Sequence, residues 1–62
     1  MSFIKATVGQ KVSFLLDGRW EGKGVVTEVK NEYTVILTKP CKEFAEGSHI
    51  SISDDEIYML GA

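Results

Sequence analysis

Residues 17–37 read DGRWEGKGVVTEVKNEYTVIL, and how that stretch folds decides the architecture of the whole chain. Asp17-Gly18 is a turn signal, because both residues tolerate positive φ. Trp20 to Lys30 reads as a strand that carries Gly22 and Gly24, and glycines inside a strand mark a bend, a bulge or a close backbone approach. Two glycines at this spacing suit a strand that curls from one side of a small β structure to the other. Val25, Val26 and Val29 break strict alternation, which predicts a bulge. Asn31-Glu32 reverses the chain, with Asn the residue besides Gly that best accepts the left-handed region. Tyr33, Val35 and Leu37 then alternate with Thr34, Ile36 and Thr38 in a run that favours strand.

Upstream, Val12, Phe14 and Leu16 recur at the period of two expected of a half-buried strand over Lys11–Leu16, preceded by a turn at Gly9-Gln10. Residues 1–8 lead in as an extended arm. Downstream, Pro40 ends the Tyr33 strand, because it has no amide to donate to a ladder. Residues 39–48 admit two readings: one helical turn over Lys42–Glu46, with Phe44 inward and Gly47 as its stop, or a loop. His49–Ser53 alternates cleanly, with Ile50 and Ile52 on one face. Asp54-Asp55-Glu56 reads as a tight helical turn opened by Ser53 or Asp54. Ile57–Leu60 makes a short closing strand, and Gly61-Ala62 fray. Five short strands with glycine turns predict an all-β barrel or sandwich forming one domain over residues 1–62. The expected core is Val12, Phe14, Leu16, Val26, Val29, Tyr33, Val35, Leu37, Ile50, Ile52, Ile57 and Leu60.

Bulk properties narrow the function classes. At 62 residues the chain buries only about 60 % of its unfolded surface, so stability is marginal and a homo-oligomer interface is one way to add burial. A single cysteine, Cys41, excludes an internal disulfide and a zinc site of paired cysteines. The net charge of −2, with signs interleaved, argues against a dedicated nucleic-acid binder. The opening MSFIKATVGQ has no secretory pattern and no apolar run reaches the ~18 residues of a bilayer span, so no membrane partner and a reducing cytoplasm are expected.

The GQKVSF start, the DGRWEGKGVVTEV bent strand, the EYTVIL partner and the closing DDEIYML segment together resemble SH3-like barrels of the Tudor and KOW kind over residues 9–60. The resemblance implies a five-stranded SH3-like barrel with a short helical turn before the last strand. Its Tudor side implies a peptide-binding face in which Trp20 and Tyr33 match two walls of an aromatic cage, with Phe44 a third if the 39–48 loop folds over. Its KOW side implies contact with RNA or ribosome-bound factors, although the usual basic loop residues are poorly matched. The RWEGKGVVTEV segment is also similar to the bent strand of the plasmid-type, trimethoprim-resistant dihydrofolate reductase, a tetramer of such barrels. The pore of that enzyme uses a valine-glutamine-isoleucine-tyrosine stretch. Here the place reads His49-Ile50-Ser51-Ile52 and lacks both the glutamine and the tyrosine; an oligomeric enzyme of that shape is the alternative function that this resemblance implies.

The individual residues fit a binding module better than an enzyme. Trp20 beside Arg19 suits a hot spot, or else caps the end of the fold as core. Tyr33 has the same two readings. His49, the only histidine, has no orienting partner at suitable spacing, and neither Ser48, Ser51 nor Ser53 makes it a nucleophile's base. Cys41 between Lys39 and Lys42 is either an activated thiol or a small apolar side chain under a loop, and the second is the commoner fate of a free cysteine. Three adjacent carboxylates at Asp54–Glu56 cannot supply the ~6–8 spaced oxygens of a calcium site. Arg19, Lys23 and Lys39 would support base stacking on Trp20 if they converge beside it, and are ordinary cross-strand partners of Glu21, Glu28 and Glu32 if they do not. The expected function is thus a non-enzymatic module, of the accessory or phage-encoded kind, that recognises a protein or peptide. Its surface is centred on Trp20, Tyr33 and Phe44 with Arg19 and Glu21 at the rim, and it has no metal or cofactor.

Overall fold

Side-chain alternation along each segment produces strands where it predicts them. The computed structural model describes residues 5–61, and in it β1 (Lys11–Leu16), β2 (Trp20–Val29), β3 (Tyr33–Leu37), β4 (His49–Ile52) and β5 (Ile57–Leu60) are joined by turns, with a 3-10 turn at Asp54–Glu56 before β5. The protein is therefore all-β, and every pairing is antiparallel within one sheet of order β4-β3-β2-β1-β5. The sheet is open, because its two edges, β4 and β5, share no ladder.

One face of that sheet is buried on all five strands, by Val12, Phe14 and Leu16 on β1, Val26 on β2, Tyr33, Val35 and Leu37 on β3, Ile50 and Ile52 on β4, and Ile57 on β5. Phe14 and Val35 are fully covered. No helix or second sheet lies among the described residues to cover this face. A sheet with no other layer has to bend across its own inner face to exclude water from it.

The bend depends on two missing Cβ atoms. A Cβ on Gly22 would lie 2.7 Å from Cε2 and Cζ of Phe14, its partner in the β1–β2 register, and 2.9 Å from the Cys41 sulfur. On Gly24 it would lie 2.7 Å from the carbonyl oxygen of Ile36. The glycines are thus places of close approach: one accommodates a core ring, the other the backbone of β3.

Two register shifts finish the curvature. Thr27 is the extra residue between Val26↔Val35 and Glu28↔Thr34, which is the bulge that the valine pattern predicts. Tyr58 is the extra residue between Ser13↔Met59 and Phe14↔Ile57. It sends both Tyr58 and Met59 to the outer face, where they are 41 % and 50 % exposed. At the β1–β2 turn, Asp17 and Gly18 both take positive φ, 56° and 72°. That conformation suits Asp and Gly, which tolerate it with little strain.

The structure corrects the expected core in three places. Val29 pairs with Tyr33 at the tip of the β2–β3 hairpin, past the reach of the other strands, and is exposed. Leu60 is only partly buried at the edge of the core. Ala6 and Cys41 join the core instead. The part of the expected arm at residues 1–4, and Ala62 of the expected fraying end, lie outside the described residues. The described part of the arm runs along the sheet. Ala6 donates its amide to the Tyr33 hydroxyl at 3.3 Å, and Gly9 donates to the Val26 carbonyl at 2.7 Å.

Of the two readings of residues 39–48, the loop is the one formed. Cys41 and Phe44 exchange backbone hydrogen bonds at 2.9 and 2.8 Å around Lys42, whose φ of 56° ends any helical run. Phe44 is half-buried against the core. The loop returns to β3 through Gly47, which donates to the Leu37 carbonyl at 2.9 Å.

Replacing Gly22 by Ala is expected to overpack the Phe14 site and cost about 1–3 kcal/mol. That is a fall in Tm of roughly 4–8 °C for each kcal/mol in a chain of this size. Urea titration of Gly22→Ala, Phe14→Leu and the double variant checks it. The double variant should be less destabilised than the sum of the two singles, because the smaller side chain vacates the clash.

Candidate functional site

The β1–β2 turn, the 39–48 loop and the 3-10 turn meet at one end of the sheet and are tied there by side chains. The backbone amide of Asp17 donates to Glu56 Oε2 at 2.9 Å, while Glu56 Oε1 accepts from the Ser53 amide at 2.8 Å and the Ser53 hydroxyl at 3.1 Å. This makes Ser53 the cap of the 3-10 turn, in a capping box with Glu56. Lys42 Nζ lies 3.4 Å from Asp17 Oδ2 and brings the loop to the turn. Both partners are largely solvated, so the pair positions more than it stabilises.

Trp20 opens β2 at this end and is 41 % exposed. The Arg19 guanidinium lies over its ring, 5.7 Å from the centroid. Such an exposed cation–π contact contributes about 0.5–1 kcal/mol and restrains both side chains. Below, the Cys41 thiol points at the Trp20 carbonyl at 3.9 Å. Phe44 shares this end through its paired backbone bonds with Cys41.

Glu21 follows Trp20 but faces the opposite side of the strand, as alternation requires. Its carboxylate accepts from the hydroxyl of Tyr58, which follows the inward Ile57 and so stands on the outer face. This bond, aided by Lys39 and Lys23, holds Glu21 below the usual carboxylate range. The same bond, with partial burial and the adjacent negative charge, pushes the Tyr58 phenol up, and a hydrogen bond from Ser13 opposes it. Between the β1–β2 turn and the 3-10 turn an open groove of about 430 Å³ is lined by Leu15, Asp17, Gly18, Ser53, Asp55 and Tyr58, together with Glu56.

Of the five residues expected to form the binding surface, the structure brings together Trp20, Arg19 and the Phe44 loop at one end, with Glu21 around the strand edge. Tyr33 is not with them. It pairs with Val29, the last residue of β2, whereas Trp20 is the first. Tyr33 is 8 % exposed, with its ring in the core and its hydroxyl on the Ala6 amide. An aromatic cage of Trp20 and Tyr33 therefore does not form, because one strand separates its walls. Tyr58 is the participant that sequence reasoning missed: alternation from the inward Ile57 places it on the outer face, but nothing local shows that Glu21 lies within its reach. Its only sequence signal is an aromatic in a closing strand already supplied with Ile57 and Leu60.

Cys41 is 3 % exposed, and burial raises its thiol pKa against the opposing charges of Lys39 and Lys42. It is a core side chain and not an activated thiol. His49 is exposed on β4 opposite Ile36 and makes no ion pair among the described residues. No group of three His, Cys, Asp or Glu side chains able to hold a metal occurs among the described residues. Among the described residues no helix is long and apolar enough to cross a membrane. Comparison with known protein families, with characterised proteins and with solved structures finds no match to this chain, so its chemistry is read from its own geometry.

Two outcomes test this description. Tyr58→Phe should return the Glu21 carboxyl titration, followed by carbon-13 NMR, most of the way to the ordinary range, with Lys39 and Lys23 leaving a smaller depression. Because the folded-state pKa is the lower one, the pair's contribution is present above the ordinary carboxylate range and is lost as pH falls through the depressed value. For Cys41, thiol-reactive dye should label the folded protein at least ~10-fold more slowly than the urea-unfolded chain, because labelling has to wait for opening.

Proposed function

We propose that this chain is a small non-enzymatic binding module of SH3-like type that recognises a protein or peptide through the end of the sheet built around Trp20. Supporting the SH3-like assignment are the strand order, the glycine-bent second strand and the 3-10 turn before the last strand. The observation that carries the function is Trp20 itself, a large aromatic left 41 % exposed and restrained by Arg19 at the junction of two turns and a loop. A restrained aromatic contributes contact area without losing much rotamer freedom on binding, which is why tryptophan and arginine dominate hot spots. Phe44, half-buried behind Cys41, backs this surface, and Glu21 with its Tyr58 partner forms its outer edge.

Peptides selected from a displayed random library against the folded protein test the reading. Trp20→Ala should weaken the selected peptides about thirtyfold, the equivalent of the roughly 2 kcal/mol that marks a hot spot. Val29→Ala, at the far hairpin tip, should leave affinity unchanged. Peptides that bind Trp20→Ala as tightly as the parent, with the amide NMR spectrum native, would refute the site.

A further inference from the structure

The groove between the β1–β2 turn and the 3-10 turn carries one sign of charge. Asp17, Asp55 and Glu56 line it, and no lysine, arginine or histidine does. One cation reaches its rim, Lys42, whose Nζ lies 3.4 Å from Asp17 Oδ2. Three carboxylates thus stand against one ammonium, and Asp54, next to Asp55 on the 3-10 turn, adds to the same field. Arg19, the other cation of the turn, is held over the Trp20 ring, and Trp20 stands opposite Leu16 on the other face of the sheet. Glu21, opposite Leu15 at the edge of the groove, already has the Tyr58 hydroxyl, Lys39 and Lys23 acting on it and adds little free charge. The apolar part of the lining is Leu15 and Tyr58, both exposed. Two of the carboxylates keep an oxygen for a partner. Asp17 meets Lys42 through Oδ2 and Asp55 accepts from the Ser53 hydroxyl through Oδ1, so Oδ1 of the first and Oδ2 of the second have no donor among the described residues. Glu56 is engaged internally, accepting from the amides of Asp17 and Ser53 and so holding the two turns together.

We infer that this groove takes a basic side chain of the partner peptide, foremost an arginine, with its guanidinium on Asp17 and Asp55 and its methylene stem along Leu15 and Tyr58. The inference gives a chemical class to the partner proposed above, and it rests on that reading in taking the occupant to be a peptide. A lining that joins carboxylates to an aliphatic and an aromatic surface matches both halves of such a side chain. Arginine suits it better than lysine, because its planar fork presents several donors to carboxylates and also stacks on a ring. A metal ion is not the occupant, since no group of three His, Cys, Asp or Glu side chains able to hold one occurs among the described residues. Nucleic acid and anionic membrane are repelled by the carboxylates that attract a basic peptide.

Fluorescence anisotropy tests this with labelled peptides of one length, carrying arginine, lysine, neutral citrulline or glutamate at two positions of a serine host that keeps one phenylalanine for Trp20. The proteins are the parent, Asp17→Asn/Asp55→Asn, Trp20→Ala, and Glu28→Gln/Glu32→Gln, which removes the same charge at the far hairpin. Each is checked for a native amide spectrum. Asn keeps the shape of Asp and accepts the positive φ of residue 17. The arginine peptide should bind the parent at least about tenfold more tightly than the citrulline peptide, with lysine between them, and should weaken as salt is added. Asp17→Asn/Asp55→Asn should lose roughly five- to tenfold of that affinity. Glu28→Gln/Glu32→Gln should bind like the parent. Equal affinity for the arginine and citrulline peptides, lost in Trp20→Ala, would overturn the basic partner and leave the Trp20 surface standing. Arginine selectivity lost in Asp17→Asn/Asp55→Asn but kept in Trp20→Ala would support the groove and remove Trp20 from the docking surface. Equal losses in the two charge-neutralised variants, tighter binding of the glutamate peptide, or no binding of the arginine peptide at low salt would overturn the inference. So would a dimer of the parent, seen by sedimentation, that Asp17→Asn/Asp55→Asn dissolves, because the groove would then belong to a second copy.

Discussion

The contact between the Phe14 ring and the bare backbone of Gly22 is the constraint from which the rest of the structure follows. Among the described residues no second layer covers the sheet, so the sheet covers itself, and that requires its inner faces to approach more closely than Cβ atoms allow. Removing one Cβ lets a phenyl ring lie against β2, and removing another lets β2 lie against the Ile36 carbonyl of β3. Both glycines sit on the central strand, between β1 and β3. With Phe14 fully buried there, aliphatic side chains from every other strand gather around it, and Cys41 of the long loop seals the same point from outside the ladder.

The strands were legible because period-two alternation is a local property, and so were the turn at Asp17-Gly18 and the 3-10 turn at Asp54–Glu56, whose chemistry lies within a few residues. Features set by partners distant in sequence were not legible in the same way. Val29 lies opposite the buried Tyr33 and is still exposed, because the sequence pattern carries no information on where the other strands stop. The course of residues 39–48 is decided by hydrogen bonds from Leu37 and Gly47 and by positive φ at Lys42, none of which a propensity argument resolves. Tyr58 was overlooked because its partner, Glu21, lies 37 positions away in the chain.

The site shows the same division. Trp20 and Arg19 are adjacent in the chain, so their pairing could be read from sequence. The separation of Tyr33 from Trp20 could not, because it depends on the register of a hairpin in which one residue lies at the closed end of β2 and the other opposite its far end. What remains at the Trp20 end is a single exposed aromatic with the Arg19 guanidinium over its ring, and selectivity there has to come from the rim.

The unpaired edges have a consequence for life at high concentration. An open sheet offers its outermost backbone to any neighbouring molecule, and fibrillar stacking grows from flat, lengthy borders of that kind. Here both borders are only four residues long, and the one at β5 is kinked beside Tyr58, where the register slips against β1. A kinked border twists away from a would-be template. The irregularity beside that tyrosine thereby acts as a guard against polymerisation.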